Sequence, residues 1–393
     1  MPSTLTHNVR IFDGESVISS DGCILFENSS IKLVSVTTPS PLPTVDIVIN
    51  GENHTVLPGL IDGHVHAHSG VPDVELAIKF GVTTVLDMMS APEELVHLRE
   101  ATRGRTDVAD FRSAGNAALV DGGWPAPIAI RHHPDKVAQM VLTWNSYLKM
   151  IQEKGLAIFG EPLPHPSPEL NKALVEAAHV HGLIAVVHAF SQDDTMEVLE
   201  AGVDGLAHCF FDKAPVPAVL DAYKRNNSFC VPTLVVVTSL TGHEVDGAKE
   251  HVERDLAGKV MREELKMCYC QRLMMATEGC NVQFAYETVK MLKEAGIDII
   301  AGTDSGPGVL GTAFGLALHQ ELSLYTTRCD FTGAEALRSA TVNPARRFRL
   351  SDRGRLAPGM RADAVMVEGD PTVDIRCSLN IVSVWREGEA LRS

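Results

Sequence analysis

The sequence predicts an α/β protein, a parallel (β/α)8 TIM barrel joined to a small β-sandwich that both ends of the chain build together. Two observations predict this fold: strand patterns alone fill the two ends, and apolar strand segments alternate with helical patterns between them. Strand–helix units in series form parallel sheets, and eight of them close into a barrel. We therefore expect sandwich segments at residues 1–58 and 351–393 and a catalytic barrel at 59–350.

The predicted sandwich consists of short strands separated by turns. Asp13-Gly14 and Asp21-Gly22 are dipeptides that favour tight turns, and the proline-rich stretch Pro39–Pro43 predicts a loop. The predicted strands are Val9–Phe12, Cys23–Phe26, Ile31–Val36, Val45–Ile49, Ala364–Val367 and Ile381–Arg386.

The first predicted barrel strand leads into histidines at 64, 66 and 68. Because residues i and i+2 of a strand point to the same face, His64 and His66 can direct two imidazoles at one point, as a metal site requires. A His-rich polar loop is the alternative, but it gives no reason for the alternation after an apolar strand. We place His68 past the strand end, as a loop residue or a neighbour of the ligands.

The other seven barrel strands are predicted from apolar segments at Thr83–Met88, Asp110–Ala114, Tyr147–Ile151, Ile184–His188, Asp204–His208, Phe229–Val235 and Ile297–Ala301. The clearest helical pattern is Pro168–His181, which Ser167 can cap and Gly182 can end. Long interruptions occur near Val120–Pro134 and Thr238–Gly279, and the charges of the second, at helical spacing, predict extra helices over the barrel mouth.

Composition restricts the class of protein. The 393 residues can bury a sizeable core, and no apolar run reaches membrane-spanning length. Residues Met1–Arg10 lack the pattern of a secretory signal. The net charge of −16 argues against nucleic acid or an anionic membrane as a partner. The eight scattered cysteines are typical of reduced thiols in a cytoplasmic protein. The expected partner is a small-molecule substrate, with a homo-oligomer left open.

Ligand-type residues recur at the predicted strand ends, where the catalytic groups of a barrel lie. They are His64 and His66 at the first strand, His188 at the fifth, His208 at the sixth and Asp304 at the eighth. One buried histidine at a strand end is more often a core residue than a ligand. Four histidines and an aspartate at the same end of their strands make that explanation improbable.

Lys149 lies inside the apolar segment Tyr147–Ile151, where an unpaired ammonium is costly to bury. If carbon dioxide converted its amine to a carbamate, the residue would become an anionic oxygen ligand able to bridge two metals. Alternatively, Lys149 points outward and its amine reaches solvent. The strand pattern alone leaves these two interpretations open.

Taken together, these segments resemble the metal-dependent amidohydrolase superfamily, in the imidazolonepropionase-like branch that includes prolidase-type and ochratoxinase-type carboxypeptidases. The resemblance covers nearly the whole chain, and its motifs are far more specific for the superfamily than for a substrate. The matching segments are Val56–His66, Gly81–Asp87, Tyr147–Met150, Gly202–His208, Val231–Leu234, Ala301–Asp304, Leu318–Leu322, Glu335–Ala345 and Gly354–Ala364.

The resemblance implies two divalent metal ions, for which zinc suits the mixed imidazole and carboxylate ligands. The implied ligands are His64, His66 and Asp304 for the more buried ion, His188 and His208 for the second, and a carbamylated Lys149 that bridges both together with a hydroxide. Asp304, Lys149 and His208 are accordingly the implied catalytic residues, and Asp304 accepts the proton of the attacking water.

The predicted function is metal-dependent hydrolysis of a C–N bond, in an amide, a peptide-like bond or a cyclic amide of a small molecule. An N-acyl amino acid or a dipeptide would be such a substrate. The alternative uses the same site for lactone hydrolysis, decarboxylation or hydration of a metabolite. A non-catalytic scaffold is the third hypothesis, and the complete ligand set argues against it.

The substrate pocket is less determined, because family members have a Gly- and His-rich loop after the third strand where this chain has Asn116–Trp124. The candidate substrate contacts are Arg112, Trp124 and His132, with Arg131 and His133 beside the last. The charged residues among them could bind a substrate carboxylate or simply be solvated on the surface. Trp124 and Tyr147 are candidate pocket walls, although core packing is the stronger explanation for Tyr147.

Overall fold

The computed structural model describes residues 2–125 and 147–391. Strands and helices alternate along these ranges, as expected of an α/β protein. The strands are β1 Thr4–Phe12, β2 Val17–Glu27, β3 Ser30–Ser35, β4 Ile47–Asn50, β5 His54–Pro58, β6 Leu60–Val65, β7 Val82–Asp87, β8 Asp110–Ser113, β9 Leu148–Ile151, β10 Ala185–His188, β11 Gly205–Ala207, β12 Phe229–Val231, β13 Ala364–Glu368, β14 Ile381–Arg386 and β15 Glu389–Ala390.

The largest sheet joins both ends of the chain. Seven of its eight strands run in the order β15-β14-β13-β5-β1-β2-β3, and β4 pairs with β1. The two chain ends meet where β5 and β13 pair antiparallel, with Val365 opposite Leu57. One face is apolar, and Ile24, Phe26 and Trp385 belong to its buried cluster. Each strand predicted for the two ends overlaps a strand of this sheet, whereas the predicted domain limits stay a prediction.

Strands β6 to β12 form two parallel sheets. The first has the order β6-β7-β8 and the second the order β12-β11-β10-β9. A parallel bridge between Ala118 and Met150 connects the segment after β8 with β9. Each of these seven strands overlaps a predicted one, and β6 leads directly out of the large sheet through β5.

The predicted eighth strand, Ile297–Ala301, is an extended segment that forms no ladder. The N–H of Ala301 is donated to the carbonyl oxygen of Ser339, at 2.8 Å, instead of to a neighbouring strand, and this interrupts strand pairing. The segment still adjoins both sheets. Ile299 forms a parallel bridge with Cys230 of β12, and Ser305, which follows the segment, forms one with Val65 of β6.

Helices follow most of the parallel strands. They are α1 Val71–Lys79, α2 Pro92–Thr102, α3 Pro168–Val180, α4 Gln192–Glu200, α5 Pro217–Asn226, α6 Leu234–Thr241, α7 Val245–Val252, α8 Asp255–Val260, α9 Glu263–Cys270, α10 Val282–Glu294, α11 Leu316–Arg328, α12 Gly333–Ser339 and α13 Val342–Arg347, with a 3-10 turn at Ile375–Leu379. The predicted helix Pro168–His181 is confirmed as α3, and the Ser167 hydroxyl accepts the Leu170 N–H at 3.2 Å. Helices α7, α8 and α9 occupy much of the predicted insertion Thr238–Gly279.

The predicted strand Phe229–Val235 is shorter than expected. It ends at Val231 because Pro232 has no N–H to donate to a ladder, and α6 begins at Leu234. The residue between them, Thr233, has a φ of 50°, so the chain turns sharply at the end of β12. This turn brings a hydroxyl to the same edge as the predicted ligands.

The main core lies between the parallel strands and the helices around them. Strands β9 and β10 are buried along their whole length. Among the residues that the structure describes, no helix combines the length and the apolar character that crossing a membrane requires.

Candidate metal centre

Two imidazoles and a carboxylate meet at the C-terminal end of β6. Oδ1 of Asp304 lies 3.1 Å from Nε2 of His64 and 3.0 Å from Nε2 of His66. One ligand atom from each of the three residues lies within 4.8 Å of the others. The structure thus brings together the three residues that were predicted to hold the more buried ion.

The backbone around this cluster is held by Asp62. Its carboxylate accepts the N–H groups of His64 and Thr303, at 3.2 and 3.1 Å, and the Thr303 hydroxyl at 2.8 Å. Gly302 permits the close approach, because a Cβ there would lie 2.9 Å from the Cβ of His64. Asp304 has a φ of 58°, a conformation that non-glycine residues adopt rarely and often at functional sites.

His208 stands between the first cluster and His188. Its ring centroid lies 4.9 Å from that of His64 and 4.7 Å from that of His188. Nδ1 of His208 is 2.7 Å from the Thr233 hydroxyl, which itself donates to the carbonyl oxygen of Pro232 at 2.8 Å. Thr233 therefore accepts from His208, so Nδ1 carries the ring proton and Nε2 keeps its lone pair for a ligand bond.

Lys149 is buried beside these imidazoles. Its side chain is 1% exposed and lines the same cavity as the four histidines, so the outward-pointing alternative does not fit. Among the described residues, Nζ has no hydrogen-bond partner. Burial lowers the pKa of the amine to about 7, against the opposing effect of the Asp304 carboxylate.

Burial also disfavours the charged form of two of the imidazoles, those of His64 and His208. Burial, and after it the proximity of Lys149, lowers the pKa of His64 to about 3. Burial holds the pKa of His208 well below its usual range as well. Burial would raise the pKa of Asp304, but the neighbouring His64 and His208 outweigh it and hold that pKa well below its usual range. Neutral imidazoles of His64 and His208 beside the ionised Asp304 carboxylate are the protonation states that metal ligands require.

The donor set fits divalent metal ions. Neutral imidazole and carboxylate together suit zinc, manganese and iron. Nε2 of His64 is buried and, despite its contact with Asp304, makes no hydrogen bond of normal geometry, and Nζ of Lys149 is likewise without a partner in the described part of the chain. Buried polar atoms without partners are rare in folded proteins, so these two indicate a group that belongs at this position.

A cavity of about 180 Å³ opens over the cluster. Trp124 lines it and stacks on the His188 ring with centroids 5.0 Å apart. His68 also lines it and stacks on His66 at 5.6 Å, with Nδ1 3.6 Å from the Glu94 carboxylate. The apolar side of the cavity is formed by Met89, Trp124, Pro125, Ile151, Pro307 and Val309.

Arg112 does not line this cavity, and its predicted contact with the substrate stays a prediction. It lies on β8, where successive side chains point to opposite faces. Arg112 is paired with Leu86 of β7, whereas the Ser113 hydroxyl, on the opposite face, donates to the buried Asp87 carboxylate at 2.6 Å. Nε of Arg112 lies 3.6 Å from Asp110, at the first residue of the strand.

The remaining candidates have different positions. Tyr147 is a core residue, 1% exposed, and its hydroxyl donates to the carbonyl oxygen of Asp87 at 2.7 Å. His132, with Arg131 and His133, lies outside the residues that the structure describes. Of the predicted contacts, Trp124 alone is seen to line the cavity.

Glu153 is a neighbour of the site that the sequence did not predict. It follows β9 by two residues, is 2% exposed, and places Oε2 3.2 Å from Nε2 of His188. The available signal was a carboxylate just after the strand that carries Lys149. That signal is weak, because carboxylates are common in the loops that follow strands.

An α/β fold with imidazole, carboxylate and amine groups gathered at the ends of parallel strands defines an enzyme with a candidate metal centre. Residues 55–391 match the amidohydrolase family model. The chain therefore belongs to the amidohydrolase family, a family of hydrolases that act on carbon–nitrogen bonds.

Individual relatives are more distant. An imidazolonepropionase of Nocardia farcinica is 22% identical over 405 residues, covering 98% of this chain and 95% of that protein. One of Cereibacter sphaeroides is 36% identical over 104 residues, which are 26% of this chain and only 23% of that protein's length. The structure of a putative prolidase from Bifidobacterium longum is similar with a TM-score of 0.78 at 22% identity, covering 100% and 95% of the two chains.

Proposed function

We propose that this protein is a metal-dependent hydrolase that cleaves a C–N bond in a small amide whose acyl or amine part is apolar. The observation that carries the proposal is the convergence of His64, His66 and Asp304. Its substrate preference is supported by the apolar side of the cavity, described above. Within the described residues, no cationic side chain other than Lys149 lines that cavity.

The parallel strands and the extended segment are proposed to form one closed (β/α)8 barrel. The bridge between Ala118 and Met150 supports continuity of the two parallel sheets on one side. On the other side, the segment Ile297–Ala301 supports closure, because the Ile300 N–H is donated to Cys230 and the Gly63 N–H to Ala301. Closure explains why β6 and β12 both end at the same cluster.

Two ions are proposed to occupy the centre, and zinc is the metal that we favour. His64, His66 and Asp304 would hold one ion, His188 and His208 the other, and a carbamylated Lys149 would bridge them. A bound divalent ion lowers the pKa of a water molecule to near neutrality and polarises a carbonyl group. In the described part of the chain, Nζ of Lys149 has no hydrogen-bond partner, and this supports the carbamate, because a carbamate uses the amine nitrogen and supplies anionic oxygens.

Asp304 is proposed to transfer the proton. Its Oδ1 contacts His64 and His66, and no hydrogen bond in the described part of the chain engages Oδ2. A carboxylate in this position can accept a proton from the attacking water and deliver it to the leaving nitrogen. Trp124 would cover the apolar part of the substrate and exclude water from the reacting carbonyl.

A reducing compartment such as the cytoplasm is the proposed location. All eight cysteines are free thiols, and four of them are buried. This state is typical of proteins that work where thiols stay reduced.

The purified protein is expected to contain about two equivalents of divalent metal, because the proposed ligands converge and, in the described part of the chain, Nε2 of His64 and Nζ of Lys149 are buried without hydrogen-bond partners. Elemental analysis measures the content, and a chelator should abolish hydrolysis of a panel of N-acyl amines, N-acyl amino acids, dipeptides and lactones. Zinc or manganese should then restore it. A protein that is metal-free and gains no activity with any added metal contradicts the proposed function.

Trp124→Ala is expected to lower kcat/KM for aromatic or branched N-acyl amides by about 10-fold, since an aromatic contact contributes on the order of 1 kcal/mol. The N-acetyl analogue should be affected much less, and the metal content should not change. Phe159→Ala is the matched control, because that ring is 38% exposed and outside the cavity. Equal losses for large and small acyl groups would rule out the proposed apolar contact.

A further inference from the structure

His188 and His208 are held by chemically different partners. His208 donates its Nδ1 proton to a neutral hydroxyl, that of Thr233, at 2.7 Å. His188 instead has Nε2 3.2 Å from a carboxylate oxygen of Glu153. Both members of this second pair are buried, with 2% and 1% of their side chains exposed. A buried carboxylate needs such a partner, so the contact is a specific one and not a surface ion pair.

The loop after β9 directs Glu153 toward His188. Its two chain neighbours point the opposite way: the Gln152 amide donates to Asp194 at 3.1 Å, and the Lys154 amine donates to Glu197 at 2.8 Å. The Gln152 N–H is also donated to the carbonyl oxygen of His188, at 3.0 Å. The backbone on both sides of Glu153 is therefore fixed, and its carboxylate has one orientation.

The His188 ring is confined on its other sides as well. Trp124 stacks on it with centroids 5.0 Å apart, and Phe190 packs edge-on at 4.6 Å. His208 also lies edge-on, at 4.7 Å. These contacts restrict the plane of the ring, but rings and apolar groups do not determine which nitrogen carries the proton. The carboxylate is the contact that can make this choice.

We propose that Glu153 is the positioning residue of His188: by accepting the Nε2 proton it fixes the tautomer and leaves the Nδ1 lone pair as the ligand atom. The inference rests on the proposed function, because it assigns His188 to a metal ion. A carboxylate behind a histidine ligand also increases the electron density that the imidazole donates, more than the hydroxyl behind His208 does. The ion held by His188 thus depends on a residue outside the ligand set.

Glu153→Gln separates this role from a purely structural one. Oε1 of Glu153 accepts the Gly155 N–H at 2.6 Å, and the amide oxygen of glutamine can keep that bond. The amide NH2 group would then face Nε2 of His188, donor against donor, and the favoured tautomer would be lost. Glu161→Gln is the matched control, since it removes the same charge from an exposed position of the same loop.

The test measures zinc affinity by competition with a chelator for the wild type and both variants. In Glu153→Gln we expect the affinity for the weaker-bound equivalent of zinc to fall about 10- to 100-fold, while the affinity for the tighter-bound equivalent stays the same. In Glu161→Gln both affinities should equal those of the wild type. Unchanged affinity of both equivalents in Glu153→Gln overturns the inference. If the wild type binds no zinc, the proposed function itself is contradicted. Failure of the inference and failure of the proposed function therefore give different results.

A second measurement does not depend on the folding of Glu153→Gln. Nitrogen-15 histidine NMR of the metal-free wild type, with the His188 signals assigned through His188→Gln, should show the proton on Nε2. In Glu153→Gln the same ring should shift toward the Nδ1–H form, whereas a structural role in the loop would leave the tautomer unchanged. An Nδ1–H tautomer of His188 in the wild type overturns the inference even if Glu153→Gln does not fold.

Discussion

Lys149→Ala is expected to reduce hydrolysis by more than the roughly 100-fold that loss of an outer partner of a ligand costs. The residue is buried at the centre of the cluster, and in the proposed site its carbamate oxygens are shared by both ions. Removing them takes one ligand from each ion and leaves the cluster with fewer anionic groups. Kinetic assays of metal-loaded enzyme and elemental analysis measure the two losses together.

Chemical rescue separates the loss of a ligand from the loss of packing. Formate, acetate or propionate should partly restore activity and metal content in Lys149→Ala, because a small carboxylate can occupy the vacated space. The control is Lys172→Ala, whose side chain is 67% exposed on α3. Wild-type activity also should decline when dissolved carbon dioxide is removed during reconstitution. Full activity of Lys149→Ala would refute the carbamate bridge and favour a mononuclear site.

The ligand cluster could be predicted from the sequence because the patterns that define it are local in the chain. Alternation places His64 and His66 on one face, and the ends of parallel strands gather at one edge, so His188 and His208 follow from strand positions. The Asp304 position follows from the same rule, even though its segment forms bridges and not a ladder. The apolar pattern of such a segment is the same whether or not its N–H groups pair with a strand.

Other features depend on partners that are distant in the chain. Glu153 and Thr233 hold histidines that lie 35 and 25 residues away, and no spacing rule connects them. The position of Arg112 is a different case. The strand was identified correctly, but its pattern does not show that Nε of Arg112 lies 3.6 Å from the carboxylate of Asp110, at the first residue of the strand and outside the cavity.

Arg353→Met is expected to lower the free energy of unfolding by about 1.5–3 kcal/mol, the contribution typical of hydrogen bonds to a charged group, because Asp110 keeps its contact with Arg361. The Arg353 side chain is 2% exposed and its guanidinium donates to Asp110 and, at 3.0 Å, to Thr84. Asp110 begins β8 and Thr84 lies in β7, whereas Arg353 belongs to the C-terminal segment. The pair therefore fastens that segment to the first parallel sheet.

The expected loss depends on pH. Burial would raise the pKa of Asp110, but Arg353 and Arg361 outweigh burial and hold that pKa well below its usual range. A lowered pKa in the folded state contributes stability above the ordinary pKa of about 3.9, and this contribution is lost as pH falls through the folded-state pKa. The difference between wild type and Arg353→Met should hence be largest at neutral pH and shrink below about pH 4.

Urea denaturation at several pH values measures this difference. Arg376→Met is the control, because Arg376 and Asp374 form an ion pair with 62% and 42% of their side chains exposed, where solvent screens the charges. That control should show no measurable loss at any pH. If Arg353→Met is as stable as the wild type at neutral pH, or if its deficit stays constant into acid, the buried pair with Asp110 does not hold the C-terminal segment on the sheet.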